Sequence, residues 1–316
     1  MISSNGTERV CDMSLKSFQN DTSFSSDVIE NDIREQMPQI LDILLLDRTT
    51  STIKTPKNII WANGNYKKHG MMAYSAMNQI KPELITGRYG YLIMPRALKT
   101  RALQKERTKT KAEVFTPLWM VKKQNDVVDE NYKSDDLETY TKRKWIEITC
   151  GEAPYMATRY DMESGEIVKI CDRVGFVDRK LSRINMEVSD KAEWQRLAVL
   201  AYKSSYGFEW NGDSLLLARE NLLYTYRDYY VDKWGDEPLH GLFEEIAKII
   251  SYNVFQMDGL NCTIPLTEKR EKVVECQLTL FGNEEPEEQW IITRGKRVKV
   301  MNWETNKMEF FDKGVK

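Results

Sequence analysis

The residues of this chain whose types and spacing could do chemistry gather in one short segment, Glu147-Ile148-Thr149-Cys150-Gly151-Glu152-Ala153-Pro154-Tyr155-Met156. Trp145 to Thr149 (WIEIT) reads as a buried strand, so an acid enters near the strand's end and a glycine follows it four residues later. In α/β folds ligands bind at the carboxyl ends of such strands, and glycine lets the backbone approach a ligand closely. The chemistry suggested is cofactor binding, although a strand followed by one glycine is a common arrangement. A second acid at a strand end comes from Asn253 to Asp258 (NVFQMD), with Asp178 in GFVDRK as a competitor nearer the glycine turn. Either aspartate also reads as a turn residue or helix cap.

Upstream lies Glu113-Val114-Phe115-Thr116-Pro117. The ordered pair EVFTP and EITCGEAPYM resembles the N6-adenine DNA methyltransferases of bacterial restriction–modification systems. Their catalytic domain opens on Phe-Thr-Pro and continues to an acid, a Cys-Gly and a second glycine. Methylase subunits of about this length are similar in further stretches: RTKTKAEVFTP, GFVDRKL, and ARENLLYTY before QMDGL. The similarity runs from about Leu41 to Pro265. It implies a Rossmann-like, S-adenosylmethionine-dependent methyltransferase fold, complete or degenerate. It also implies methyl transfer to the exocyclic amine of adenine in double-stranded DNA, with a restriction or specificity subunit as a further partner. By matching position, Phe115, Thr116 and Pro117 would pack around the methionine end of the cofactor, and Glu147, Cys150 and Gly151 would form the loop beneath it. A strand-end aspartate, Asp258 ahead of Asp178, would accept hydrogen bonds from the ribose hydroxyls.

Two positions depart from the family. Its second loop glycine is Ala153 here, which places a Cβ where the backbone should hug the cofactor. Its catalytic tetrapeptide, a polar residue followed by Pro-Pro and an aromatic, is missing, because the chain contains no Pro-Pro pair. In the family those groups hold and activate the amine of a base flipped out of the duplex, and the aromatic stacks on it. Pro154 and Tyr155 match only the last two positions and are weak catalytic candidates. The alternative reading is a degenerate methyltransferase-like subunit that binds DNA or a partner without catalysis.

The elements that must position these residues follow from periodicity. Asp32 to Leu46 repeats apolar residues at three and four, which predicts an amphipathic helix. Asn58 to Trp61 and Val174 to Val177 read as short strands, and Tyr91 to Met94 as a short apolar run. Glu193 to Tyr202, Ser214 to Tyr230 and Leu239 to Ile250 carry helical periods, and Asn253 to Met257 reads as a strand. Gln289 to Thr293 and Arg297 to Met301 alternate like a hairpin across Arg294-Gly295-Lys296. Strand, glycine turn, helices and strand predict an α/β domain with a mainly parallel sheet. The expected divisions are a disordered arm over 1–28, a mixed helical region over 29–112, the methyltransferase-like domain over 113–265 and an acidic extension over 266–316.

Composition frames these readings. The chain has 316 residues, 41% hydrophobic and 30% charged, with a formal net charge of -2. That balance is globular, and the total charge alone does not announce a nucleic-acid binder. A local basic stripe does stand out, with Arg101, Lys105, Arg107, Lys109 and Lys111 against Glu106. It reads either as a solvated face or as a phosphate-binding surface. Five scattered cysteines without a CxxC pair and two histidines argue against zinc. No apolar run reaches membrane-span length and the first residues lack a signal-peptide core, so the expected location is cytoplasmic.

Overall fold

The computed structural model describes residues 34–95, 116–273 and 289–314. The arm over 1–28, Phe115, the basic stripe and most of the glutamates beyond Val273 lie outside them. At the centre is a parallel sheet of three strands in the order β1 (Trp145–Glu147), β2 (Ser205–Glu209), β3 (Val254–Gln256). Trp145 is opposite Ser205, and Gly207 is opposite Val254. A parallel pair needs a long crossover, and helices supply it. Helices α1 (Pro38–Leu45), α2 (Leu118–Asp129) and α3 (Leu137–Lys142) precede β1. Helices α4 (Phe176–Glu187) and α5 (Lys191–Lys203) lead from β1 to β2, and α6 (Gly212–Trp234) and α7 (His240–Asn253) lead from β2 to β3. The architecture is mixed α/β and compatible with a Rossmann-like fold.

Helix boundaries follow local chemistry. Asp136 and Asp190 cap α3 and α5 by accepting from the N–H groups of Thr139 and Glu193. Pro38 begins α1, where its missing N–H is harmless. Gly235, left-handed at φ 71°, ends α6. Helix α6 is buried around most of its circumference (Leu215 to Tyr226 without a break), which marks it as the central core helix. One hydrophobic core runs from Ile40 and Trp61 through Phe176, Trp194 and Leu222 to Val254. It therefore joins the N-terminal segment to the sheet and its helices.

Buried charges tie the same parts together. The Arg34 fork meets both oxygens of Glu220, at 2.7 and 2.8 Å. Fully buried Arg219 donates to the carbonyls of Leu44, Leu46 (3.0 Å), Val254 (2.8 Å) and Ser251 (3.3 Å).

Several predicted elements differ. Val174 to Val177 is no strand: Gly175 is the N-cap of α4, whose helix begins at Phe176. Asn58 to Trp61 makes only isolated bridges: Ile59 and Trp61 bond the backbone of Leu45, Asn78 and Ile80, while Ile60 is held by the Gln256 side chain, which accepts from Ile60 N at 2.9 Å and donates to Ile60 O at 2.8 Å. Alternating pattern had no way to register a side-chain amide standing in for a neighbouring strand. The predicted hairpin across Arg294-Gly295-Lys296 is replaced by two separate pairs. Strand β5 (Gln289–Thr293) pairs with β4 (Lys269–Val273), and β6 (Lys299–Asn302) pairs with β7 (Lys307–Phe310), which leads into the short helix α8 (Phe311–Gly314). Among the described residues, no helix is long and apolar enough to cross a membrane.

Candidate functional site

The carboxyl ends of the three parallel strands each carry an acid: Glu147 ends β1, Glu209 ends β2, and Asp258 follows β3 by two residues. Glu147 is buried and turned back on its own loop, accepting from Tyr155 N at 3.2 Å and Met156 N at 2.9 Å. Its pKa is pushed up to about 8, chiefly by burial, with the nearby Glu209 charge adding to it. Its work is to close the loop after β1.

That loop is strained. Thr149, Gly151 and Ala153 all have left-handed φ, at 48°, 55° and 62°. Such a conformation is costly for a β-branched threonine, and strain of this kind collects at functional sites. Gly151 donates from its backbone to Glu209 Oε2 at 2.9 Å, and a Cβ built on it would meet nothing within 4 Å. Open space therefore lies on one side of this turn. Ala153 is fully buried in the core, so its methyl packs inward.

Glu209 escaped sequence reasoning. The run Ser205 to Glu209 (SYGFE) is a strand ending in an acid and entering a helix, and it was the available signal. Glu209 is buried and accepts from Asn211 N at 3.0 Å and Asn211 Nδ2 at 3.2 Å on Oε1, besides Gly151 on Oε2. Burial raises its pKa. A carboxylate has about four acceptor sites, so among the described residues Oε2 keeps one open.

The N-terminal segment walls the far side of this acid. Trp210 Nε1 donates to Ala62 O at 2.9 Å, Asn63 bridges Asn211 and Asp213, and the Tyr66 hydroxyl donates to Asp213 at 2.8 Å. Asp258 is held in an Asx turn, accepting from Leu260 N at 2.9 Å and Asn261 Nδ2 at 2.9 Å. Asp178 is fully buried and caps α4, accepting from Thr158 N at 2.7 Å and Gly175 N at 3.1 Å. It serves as a helix cap, and among the described residues its Oδ1 has no hydrogen-bond partner.

The remaining predicted residues cluster around Tyr155. Cys150 is buried and joins the loop to β2 through its N–H to Phe208 O at 2.8 Å. Burial pushes its thiol pKa up, which makes it a packing residue. Pro117 holds the N-cap position of α2, and the Thr116 side chain lies close enough to Tyr155 to lower its pKa against the raising effect of burial. The Tyr155 hydroxyl also meets Gln124, and its carbonyl accepts from Asn125 and Phe176. Pro154 is half-buried beside it. Tyr155 and Glu147 line a cavity of about 560 Å³. Thr116, Glu147, Cys150, Gly151 and Tyr155 are thus brought together, while Asp258 stands at the end of β3, across β2 from the loop. Comparison of the chain with family models, with curated proteins and with solved structures returns no match.

Proposed function

We propose that this chain binds S-adenosylmethionine at the carboxyl ends of β1 and β2. In this reading it takes part in methyl transfer to the exocyclic amine of adenine in double-stranded DNA, alongside a restriction or specificity subunit. The observation that carries the reading is the meeting of Gly151 and Glu209. A left-handed glycine with open space above it closes the turn after one parallel strand, and the acid of the next strand receives its N–H while keeping an acceptor site. Gly151 and its neighbours would hold the methionine part, and Glu209 would accept a ribose hydroxyl. The cofactor supplies a methyl group on a sulfonium. Its positive charge suits a site with two buried carboxyls, Glu147 and Glu209, the second of which opposes ionisation of the first.

A second reading, binding without catalysis, is favoured by one specific observation. The backbone N–H and carbonyl of Tyr155 both serve the scaffold, and the chain has no Pro-Pro to hold the amine. Isothermal titration with S-adenosylmethionine, with and without duplex DNA, tests both readings. Glu209→Ala should weaken uptake about tenfold through loss of a charge-assisted hydrogen bond, and Asp258→Ala should leave it within about twofold. Absence of uptake under either condition rejects the cofactor. Uptake without methyl transfer, even when the partner subunit is added, selects the second reading.

A further inference from the structure

The outer edge of β1 is the feature the candidate site leaves unused. Among the described residues β1 pairs only with β2. Trp145 N donates to Ser204 O at 3.0 Å. The alternation of a parallel ladder then turns the N–H and C=O groups of Ile146 away from β2. Ile146 is 46% exposed and Ile148 67%. The cavity of about 560 Å³ follows this edge along six consecutive residues, Arg143 to Ile148, with Gln124, Val128 and Tyr132 from and just beyond α2 also lining it. A row of outward backbone groups beside apolar side chains is the template for adding a strand.

We propose that this groove receives an extended segment of a second polypeptide, added to the sheet beside β1. Its chemistry follows from the lining. The middle of the groove is apolar. Lys144 stands at the amino end of β1 beside Arg143, which is held by both oxygens of Asp135, while the Glu147 carboxyl at the other end is folded onto Tyr155 and Met156. The Lys144–Glu304 pair is exposed, 67% and 76%, and weak enough to exchange for another acid. The occupant is therefore a strand of alternating apolar residues with an acid at its amino end, running parallel to β1 as the other strands do. A second copy of this chain fits poorly, because its own β1 edge arrives with its own α2 alongside. Residues following such a strand would emerge at the Gly151–Tyr155 loop, where the chain lacks the Pro-Pro groups. That extension rests on the methyl-transfer reading, whereas strand addition does not.

The test uses the full chain and a fluorescein-labelled peptide, Asp-Val-Thr-Ile-Thr-Val, followed by anisotropy and by amide exchange at Ile146. The Ile146 amide should exchange freely in the chain alone and be protected about tenfold or more with peptide. Ile146→Pro should weaken binding about tenfold while preserving the fold, since proline is tolerated on an edge strand where the N–H faces outward. Lys144→Glu should weaken it as well, and a peptide with lysine in place of the aspartate should regain it. A peptide N-methylated at alternate residues should not bind. Failure of the unmodified peptide to bind at about 1 mM, or equal binding of the N-methylated peptide, overturns the proposal. So does an Ile146 amide already protected without peptide: if protection is independent of concentration, the chain's own residues fill the groove, and if it rises with concentration, a second copy does. Titration with S-adenosylmethionine reads a different ligand, proposed to be held at Gly151 and Glu209, which do not line the groove, so the two proposals fail separately.

Discussion

Gly175→Ala is the perturbation whose cost can be worked most directly from the structure. Gly175 caps α4 where the helix meets the loop after β1. A Cβ there would fall 2.5 Å from the Met156 carbonyl carbon and 2.7 Å from Ala157 N. Carbon atoms rest at about 3.5 Å, so helix and loop must separate by roughly 1 Å. Two hydrogen bonds span this contact, Phe176 N to Tyr155 O at 2.8 Å and Val177 N to Met156 O at 2.9 Å. Lengthened by that amount, both leave the range of hydrogen bonding. Each leaves a buried group unmet, at ~1–3 kcal/mol, so the expected loss from the two is ~2–6 kcal/mol. The Glu147 bonds to Tyr155 N and Met156 N lie on the same loop, so the candidate site should loosen with it. Urea unfolding followed by tryptophan fluorescence measures the loss. Gly241→Ala in α7 is the control: its Cβ meets nothing within 4 Å, and a helical alanine should stabilise by up to ~1 kcal/mol. If Gly175→Ala unfolds at the same urea concentration as wild type, the close approach of α4 to the loop is not what positions the site.

Three further outcomes follow from the same geometry. Thr149→Gly should raise stability by ~0.5–1 kcal/mol, since relief of a left-handed β-branched residue exceeds the entropy cost of glycine and the side chain is exposed; a lower melting temperature would contradict this. Glu147 binds its proton more tightly folded than unfolded, so wild-type stability should fall as pH rises from about 4.5 to about 8. Glu147→Gln should flatten that slope, and an unchanged slope in urea midpoints taken at pH 5 and pH 8 would show that Glu147 is not the group responsible. Arg34→Ala should cost ~3–5 kcal/mol by stranding buried Glu220, while Arg34→Met with Glu220→Leu should recover most of it; equal losses in the single and double variants would refute a paired role.

Legibility in the sequence tracked the range of the interactions involved. Helices α5, α6 and α7 and strand β3 were readable because burial imposes a local period on them. Gly151 was readable because a backbone that must turn and stay open leaves its mark on one residue. Glu209 was not, because its importance comes from Gly151, 58 residues away, donating to it. Val174 to Val177 misled for a similar reason. Its apolar residues face the core as a strand's would, yet Asp178 caps the backbone into a helix by accepting from Gly175 N and is itself fixed by Thr158. The pairing of β5 with β4 rather than with the nearby alternating run is likewise a choice between partners, which alternation within one strand does not encode.

Arg219 has a practical consequence for anyone wishing to isolate the sheet and its helices as a minimal fragment. Two of the carbonyls that receive this guanidinium belong to Leu44 and Leu46, more than 170 positions earlier in the chain. A polypeptide begun after Leu46 would retain a cation deep in its interior with those acceptors gone. Burial already lowers the Arg219 pKa to about 9 with every partner in place, so the shortened chain would have no inexpensive way to keep that charge dry. The opening segment is better regarded as an obligatory folding subunit than as an appendage. Chain collapse must wait for the joining of parts made far apart in synthesis, which should make folding slow and late in translation.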